Sequence, residues 1–191
     1  MVSKNRLKFS RYYKCSNLTL SLIVISLILS SCTNGIDDLG WKAYKIPAAS
    51  MAPTLIQGDH ILVNLRFYQN QTPQRGDIIV FQYPEDTTKD FVKRVIAVGG
   101  DVIQGEKKWI YLNGEILEER YAQYSKDDMN DNTNKFGPLT VPEGKVFVLG
   151  DNRDHSYDSR HFGPVDLKAI RGKVFYIYWS RDFGRMFTKI E

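Results

Sequence analysis

The sequence predicts a mainly β protein built on antiparallel sheet, on three observations. Runs rich in Val, Ile, Phe and Tyr recur at strand length, and pairs containing Gly, Asn or Asp separate them. No long stretch carries clear helical periodicity. Together these point to short strands joined by tight turns.

The elements follow in order. After Gly58-Asp59, His60 to Phe67 is the first strand-like run, and Arg75-Gly76-Asp77 turns into Asp77 to Tyr83. Phe91 to Ile103 contains the turn Gly99-Gly100-Asp101. Trp109 to Leu117 contains Asn113-Gly114, a strong hairpin signal because both residues accept positive φ. Pro142-Glu143-Gly144 precedes Lys145 to Gly150, and Lys173 to Trp179 comes last. Tyr121 to Lys135 is polar with few apolar anchors and predicts an exposed loop. There is no internal repeat, and Arg181 to Glu191 carries no signal.

A chain of 191 residues, 42% hydrophobic, can form one cored domain with a small appendage. Its net charge of +4 comes largely from Lys4, Arg6, Lys8, Arg11 and Lys14, with no acidic residue before Asp37. Without that tail the charge is nearly balanced, so nucleic acid is not an expected partner. The basic stretch leads into the apolar run Leu18 to Leu29, the pattern of an export signal and short for a spanning helix. Leu29-Ser30-Ser31-Cys32 then resembles a bacterial lipobox. Two readings stay open: lipidation at Cys32, or an uncleaved membrane anchor over residues 1–36. Either leaves the following domain at the plasma membrane on its extracytoplasmic face, with membrane lipid as a partner. The two cysteines, Cys15 and Cys32, both precede that domain, so neither a disulfide framework nor a zinc site is expected in it.

The chemistry lies in three places. Ser50 sits between Pro47 and Pro53, which keep its segment out of helix and can hold a hydroxyl beside an extended substrate. Taken alone, it reads first as an ordinary surface turn serine. In a strand, Phe91, Lys93, Val95 and Ala97 share one face, and Val92, Arg94, Ile96 and Val98 the other. Both faces are otherwise apolar. Desolvation lowers a lysine pKa, and a neutral amine can take a proton from a serine, whereas arginine cannot. Lys93 is therefore the candidate base and Arg94 an ion-pair partner; the plainer reading is a lysine snorkelling from a sheet edge. The third place is Gly150 to Arg160, with Asp151, Arg153, Asp154, Asp158 and Arg160 around Ser156 and Ser159. It reads as a rigid loop that orients the base, or as a solvated loop of paired charges. His60, His155 and His161 come without Gly-x-Ser-x-Gly or metal-ligand spacing, and no glycine-rich phosphate loop is present. No cofactor is expected.

These segments resemble bacterial type I signal peptidase (leader peptidase) from about Ile46 to Ser180. Four blocks carry the likeness in order: Ser50 to Leu55; Arg75 to Phe81; Lys93 to Ile96 with Gly100-Asp101; and Gly150 to Arg160 with Phe162-Gly163-Pro164-Val165. The resemblance implies a serine endopeptidase with a Ser–Lys dyad, Ser50 acylating and Lys93 as general base. It implies that Ser156 orients the lysine and that Asp158 and Arg160 form a bracing ion pair. Met51 and Pro53 are the substrate-binding candidates. The Ser50 backbone N–H would donate to the oxyanion, a contribution of roughly 3 kcal/mol in comparable enzymes. Substrates would be secretory precursors, cut after Ala-x-Ala and bound as an added strand by what is expected to be a monomer. The implied organisation is a catalytic domain over 37–180 with a reduced, inserted β subdomain at about 104–142, and a tail over 181–191.

One departure concerns the oxyanion. Some family members carry serine two positions before the nucleophile, where this chain has Ala48. That supports an alternative, a catalytically impaired relative that binds exported peptides without cutting them. A self-cleaving repressor, which also uses a Ser–Lys pair, would need a DNA-binding N-terminus in place of the export signal found here.

Overall fold

The computed structural model describes residues 39–124 and 134–190. The N-terminal basic stretch, the apolar run and Cys32 lie outside the described residues, as do residues 125–133 of the polar segment. Contacts divide the chain into Met1–Gly40 and Trp41–Glu191, and all the elements below belong to the second unit. Among the described residues, no helix is long and apolar enough to cross a membrane.

Twelve strands and one short α-helix make up the described fold: β1 (Trp41–Lys45), β2 (His60–Asn64), β3 (Ile78–Tyr83), β4 (Asp86–Val98), β5 (Val102–Glu106), β6 (Trp109–Leu112), β7 (Glu115–Ile116), β8 (Phe136–Thr140), β9 (Lys145–Leu149), α1 (Ser159–Phe162), β10 (Val165–Asp166), β11 (Ile170–Trp179) and β12 (Thr188–Lys189). The larger sheet runs β1-β2-β11-β3-β4-β9-β10 with β12 beside β11, and the smaller runs β7-β6-β5-β8. All the strand pairings are antiparallel. The mainly antiparallel β architecture expected from the sequence is therefore the one observed, including a second small sheet.

The central strands β3 and β9, and β4 from Lys93 to Ala97, are buried on both faces, which is why β3 and β9 read as continuous apolar runs. On β3, Ile78 and Val80 enter one core with Ile61, Val63 and Val174. Ile79 and Phe81 face a second core with Val146, Val148 and Val165. A third core, with Ile103, Ile110, Phe147 and Leu149, joins the smaller sheet to the larger. The alternation expected along β4 ends at a bulge between Val95 and Ala97, so Ile96 and Ala97 both fall in this third core.

The sequence reading holds at one turn and departs from the structure at other elements, for identifiable reasons. Asn113 and Gly114 adopt φ of 54° and 87° and close the β6–β7 hairpin as their chemistry predicts. Strand β1 is a half-exposed edge, Trp-Lys-Ala-Tyr-Lys, whose mixed residues give a weak signal in sequence. Strand β8 contains Gly137 and Pro138, both poor strand formers, and lies at a sheet edge where Pro is tolerated. The polar segment is not an exposed loop at its described ends. The Gln123 N–H donates to Asp151 O at 2.7 Å, Tyr121 lies under the Arg94 guanidinium at 4.0 Å, and Asn134 is buried.

Candidate active site

Ser50 begins a tight turn. Ala52 N–H donates to Ala49 O at 3.0 Å, and Leu55 N–H to Met51 O at 2.8 Å. Met51 and Leu55 point together into the first core and anchor the turn from beneath. From the side, the loop after β9 clamps it: Asn152 N–H donates to Ser50 O at 3.1 Å and Asn152 Nδ2 to Ala49 O at 3.2 Å. Gly150 makes this approach possible, because a Cβ there would strike both the Ser50 carbonyl oxygen and Ser156 Oγ.

Lys93 arrives from the opposite side, in the middle of β4. Its Nζ lies 2.8 Å from Ser50 Oγ and donates to Val92 O at 3.1 Å, with the Phe91 ring centroid 5.5 Å away. Only 4% of the residue is exposed. Burial lowers its pKa from 10.5 to about 8; the Asp158 and Asp151 charges act against this and Arg160 reinforces it. A serine hydroxyl beside an amine that is readily neutral near physiological pH is the chemistry of an activated nucleophile.

Three buried arginine–carboxylate pairs brace the surrounding loop. Arg94 meets Asp151 with Nε at 2.9 Å and Nη2 at 2.8 Å, as the sequence led us to expect of an ion-pair partner. Arg153 meets Glu119 through Nη1 at 2.7 Å and Nη2 at 2.5 Å, and its Nε donates to Gly150 O at 3.0 Å. Arg160 meets Asp158 through Nε at 2.8 Å and Nη2 at 2.9 Å, and also donates to Arg153 O at 2.6 Å. Asp158 caps α1 and accepts the Gly150 N–H at 3.0 Å. Burial pushes its pKa up, but the Arg160 hydrogen bonds and charge, with Gly150 N–H, prevail and hold it below the ordinary carboxylate range. Breaking one such pair would strand a buried charge, at a cost of about 3–5 kcal/mol.

The remaining sequence candidates divide. Ser156, expected to orient the lysine, is buried, and its Oγ makes no hydrogen bond to Lys93 or to any other described group. A cleft of about 320 Å³ opens over the Ser50–Lys93 pair. Ile46, Pro47 and Ala48 form one wall, Asp90, Phe91 and Val92 the other, with His155 and Tyr157 at the rim. Met51 lines this cleft; Pro53 does not, and its carbonyl instead accepts from Arg185 Nη1 at 3.2 Å. Glu119 gave no separate signal in sequence, whereas Gly150, Asp151 and Asn152 lay within a block already singled out, and Pro47, Ala48, Phe91 and Val92 of the cleft lay beside the serine and the lysine. Among the described residues, no group of three or more His, Cys, Asp or Glu is placed to hold a metal ion.

Comparison with known proteins places this geometry in a family. Residues 17–179 match the family model described as signal peptidase, peptidase S26. The chain is 36% identical to signal peptidase I of Aquifex aeolicus (strain VF5), over 73% of this chain and 76% of that protein. It is 41% identical to signal peptidase I of Bacillus caldolyticus, over 71% and 78% respectively. Against signal peptidase I V of Bacillus subtilis (strain 168) the identity is 37%, over 69% and 82%. The chain, with its serine and lysine side by side at the foot of an open cleft, belongs to the signal peptidase, peptidase S26 family.

Proposed function

We propose that the protein is a serine endopeptidase that removes signal peptides from exported precursors, with Ser50 as nucleophile and Lys93 as general base. The observation that carries this reading is the 2.8 Å approach of a buried, readily neutralised lysine to Ser50 Oγ. A precursor lies extended in the cleft between Ile46–Ala48 and Asp90–Val92, as a strand added to exposed backbone. Small side chains, as in Ala-x-Ala, suit a small cleft lined mainly by apolar residues.

With Lys93 neutral, Ser50 Oγ attacks the scissile carbonyl carbon and its proton passes to Lys93 Nζ. The oxyanion that forms is met by the Ser50 backbone N–H, with no side-chain donor at Ala48. Collapse expels the new N-terminus of the mature protein, which takes the proton back from Lys93 and leaves an ester on Ser50. Water then attacks the ester, giving its proton to Lys93, and Ser50 leaves with that proton as the signal-peptide carboxylate is released. Asp158, Arg160 and the buried Ser156 hold the loop that clamps the nucleophile turn. The apolar run or a lipid on Cys32 tethers a monomeric catalytic domain on the extracytoplasmic side of the plasma membrane.

The test is cleavage of an Ala-x-Ala precursor by the full chain in detergent, with Ser50→Ala alongside. A cut after the second alanine, absent in the variant, is the expected result. A folded wild-type protein that binds the peptide and leaves it whole would instead identify a binding relative.

A further inference from the structure

Residues 181–190, silent in the sequence, form a strap that reaches back to the nucleophile turn. The strap leaves the end of β11 with Asp182 N–H donating to Ser180 Oγ at 3.2 Å. Asp182 then accepts the Gly184 N–H at 3.0 Å and caps a single 3-10 turn, Phe183–Arg185. The chain returns as β12 alongside β11, where Ile190 N–H donates to Phe175 O at 2.7 Å and its side chain enters the first core. Both ends are thus fixed, and Arg185 projects from a defined base.

Its guanidinium meets the turn that starts at Ser50. Nη1 donates to Pro53 O at 3.2 Å, and Nη2 donates to Thr54 O at 2.7 Å and to Asp59 Oδ2 at 3.0 Å. Asp59 is fully buried, and the same oxygen accepts the Ile56 N–H at 3.0 Å. The turn is therefore held at its start by Asn152, on the carbonyls of Ala49 and Ser50, and at its end by Arg185, on those of Pro53 and Thr54. A planar fork with several donors suits two successive carbonyls and a carboxylate; a lysine brings one compact charge.

We propose that Arg185 is a positioning residue for Ser50, fixing the far end of the nucleophile turn so that Oγ keeps its place beside Lys93. This rests on the reading of Ser50 as nucleophile. None of Arg185, Pro53, Thr54 and Asp59 lines the cleft, so the effect falls on the chemical step and leaves peptide binding intact. Arg185 also makes no contact with Lys93, so the titration of the base is left alone.

Steady-state kinetics on an Ala-x-Ala precursor with the full chain in detergent test this, using wild type, Arg185→Ala, Arg185→Lys and Ser50→Ala. Small misplacement of a reacting group from a distance can cost on the order of 10²-fold in rate. Arg185→Ala is expected to lose about 10- to 100-fold in kcat with KM nearly unchanged, since the lost interaction serves the transition state. Arg185→Lys should recover part of that loss, and the pH midpoint of the rate should stay at the wild-type value in both. A purely structural role predicts a lower melting temperature with wild-type kcat per folded molecule, and that result overturns the proposal, as does a loss confined to KM. If Arg185→Ala does not fold, Arg185→Lys decides: reduced kcat in a folded protein supports the proposal, and wild-type kcat overturns it. Cleavage retained by Ser50→Ala rejects the nucleophile assignment itself, whereas an inactive Ser50→Ala beside a fully active Arg185→Ala rejects only the role of Arg185.

Discussion

The two proposed reacting groups are positioned in different ways. Lys93 is carried by the middle of β4, flanked by β3 and β9, so the three cores and two ladders of hydrogen bonds fix its place. Ser50 has no ladder. It sits on a turn pinned below by Met51 and Leu55 and held by polar groups from distant parts of the chain, Asn152 and Arg185. The base is thus set by the sheet and the nucleophile by its neighbours. Damage to the sheet should cost stability first, and damage to the neighbours should cost rate first.

The largest expected effect comes from the pair itself. Lys93→Ala should lower kcat by about 10²–10⁴-fold, the range of general-base contributions, and Lys93→Arg should be equally inactive because arginine stays charged. Both are read from single-turnover cleavage, with circular dichroism to check the fold. Next come the buried ion pairs. Removing Arg94 leaves Asp151 alone in a buried site and should cost about 3–5 kcal/mol in chemical denaturation. If Arg94→Ala instead left stability intact and only slowed cleavage, β4 would not be the rigid element described here. Gly150→Ala should reverse that balance: overpacking costs about 1–3 kcal/mol, and the Cβ pushes against the Ser50 carbonyl, so kcat should fall with a modest loss of melting temperature. The smallest effect is expected from Ala48→Ser, which restores a side-chain donor at the cleft wall. A preorganised oxyanion donor is worth about 10²-fold or more, and an exposed one less, so a modest rise in kcat is expected.

The same contrast explains what the sequence revealed. Central strands buried on both faces announce themselves as apolar runs, and the lysine within β4 stands out because its neighbours are apolar. The Asn113-Gly114 hairpin was legible because its φ requirement limits the residues that can serve. Edge strands β1 and β8 were not, since a solvated face or a Gly-Pro pair erases the pattern. Ser50 was singled out by its two prolines, but what holds it lies far along the chain: Asn152, Arg185 and the space left by Gly150. Those are relations between distant positions, invisible to local periodicity. Arg153 with Glu119 is similar, because nothing in the sequence links the two. Ser156 was placed by resemblance to a family motif, and the described geometry sets it beside Asp158 without a hydrogen bond to Lys93.

The central claim is that Lys93 acts as a neutral base for Ser50, and the pH dependence of kcat/KM on an Ala-x-Ala precursor tests it most directly. Burial lowers the lysine pKa to about 8, so the neutral, active form grows as pH rises through that value. The account predicts a rate that climbs from pH 6 and levels above a midpoint near 8, with the climb abolished in Lys93→Ala. A flat profile across that range, or a midpoint left at the ordinary lysine value, would contradict it.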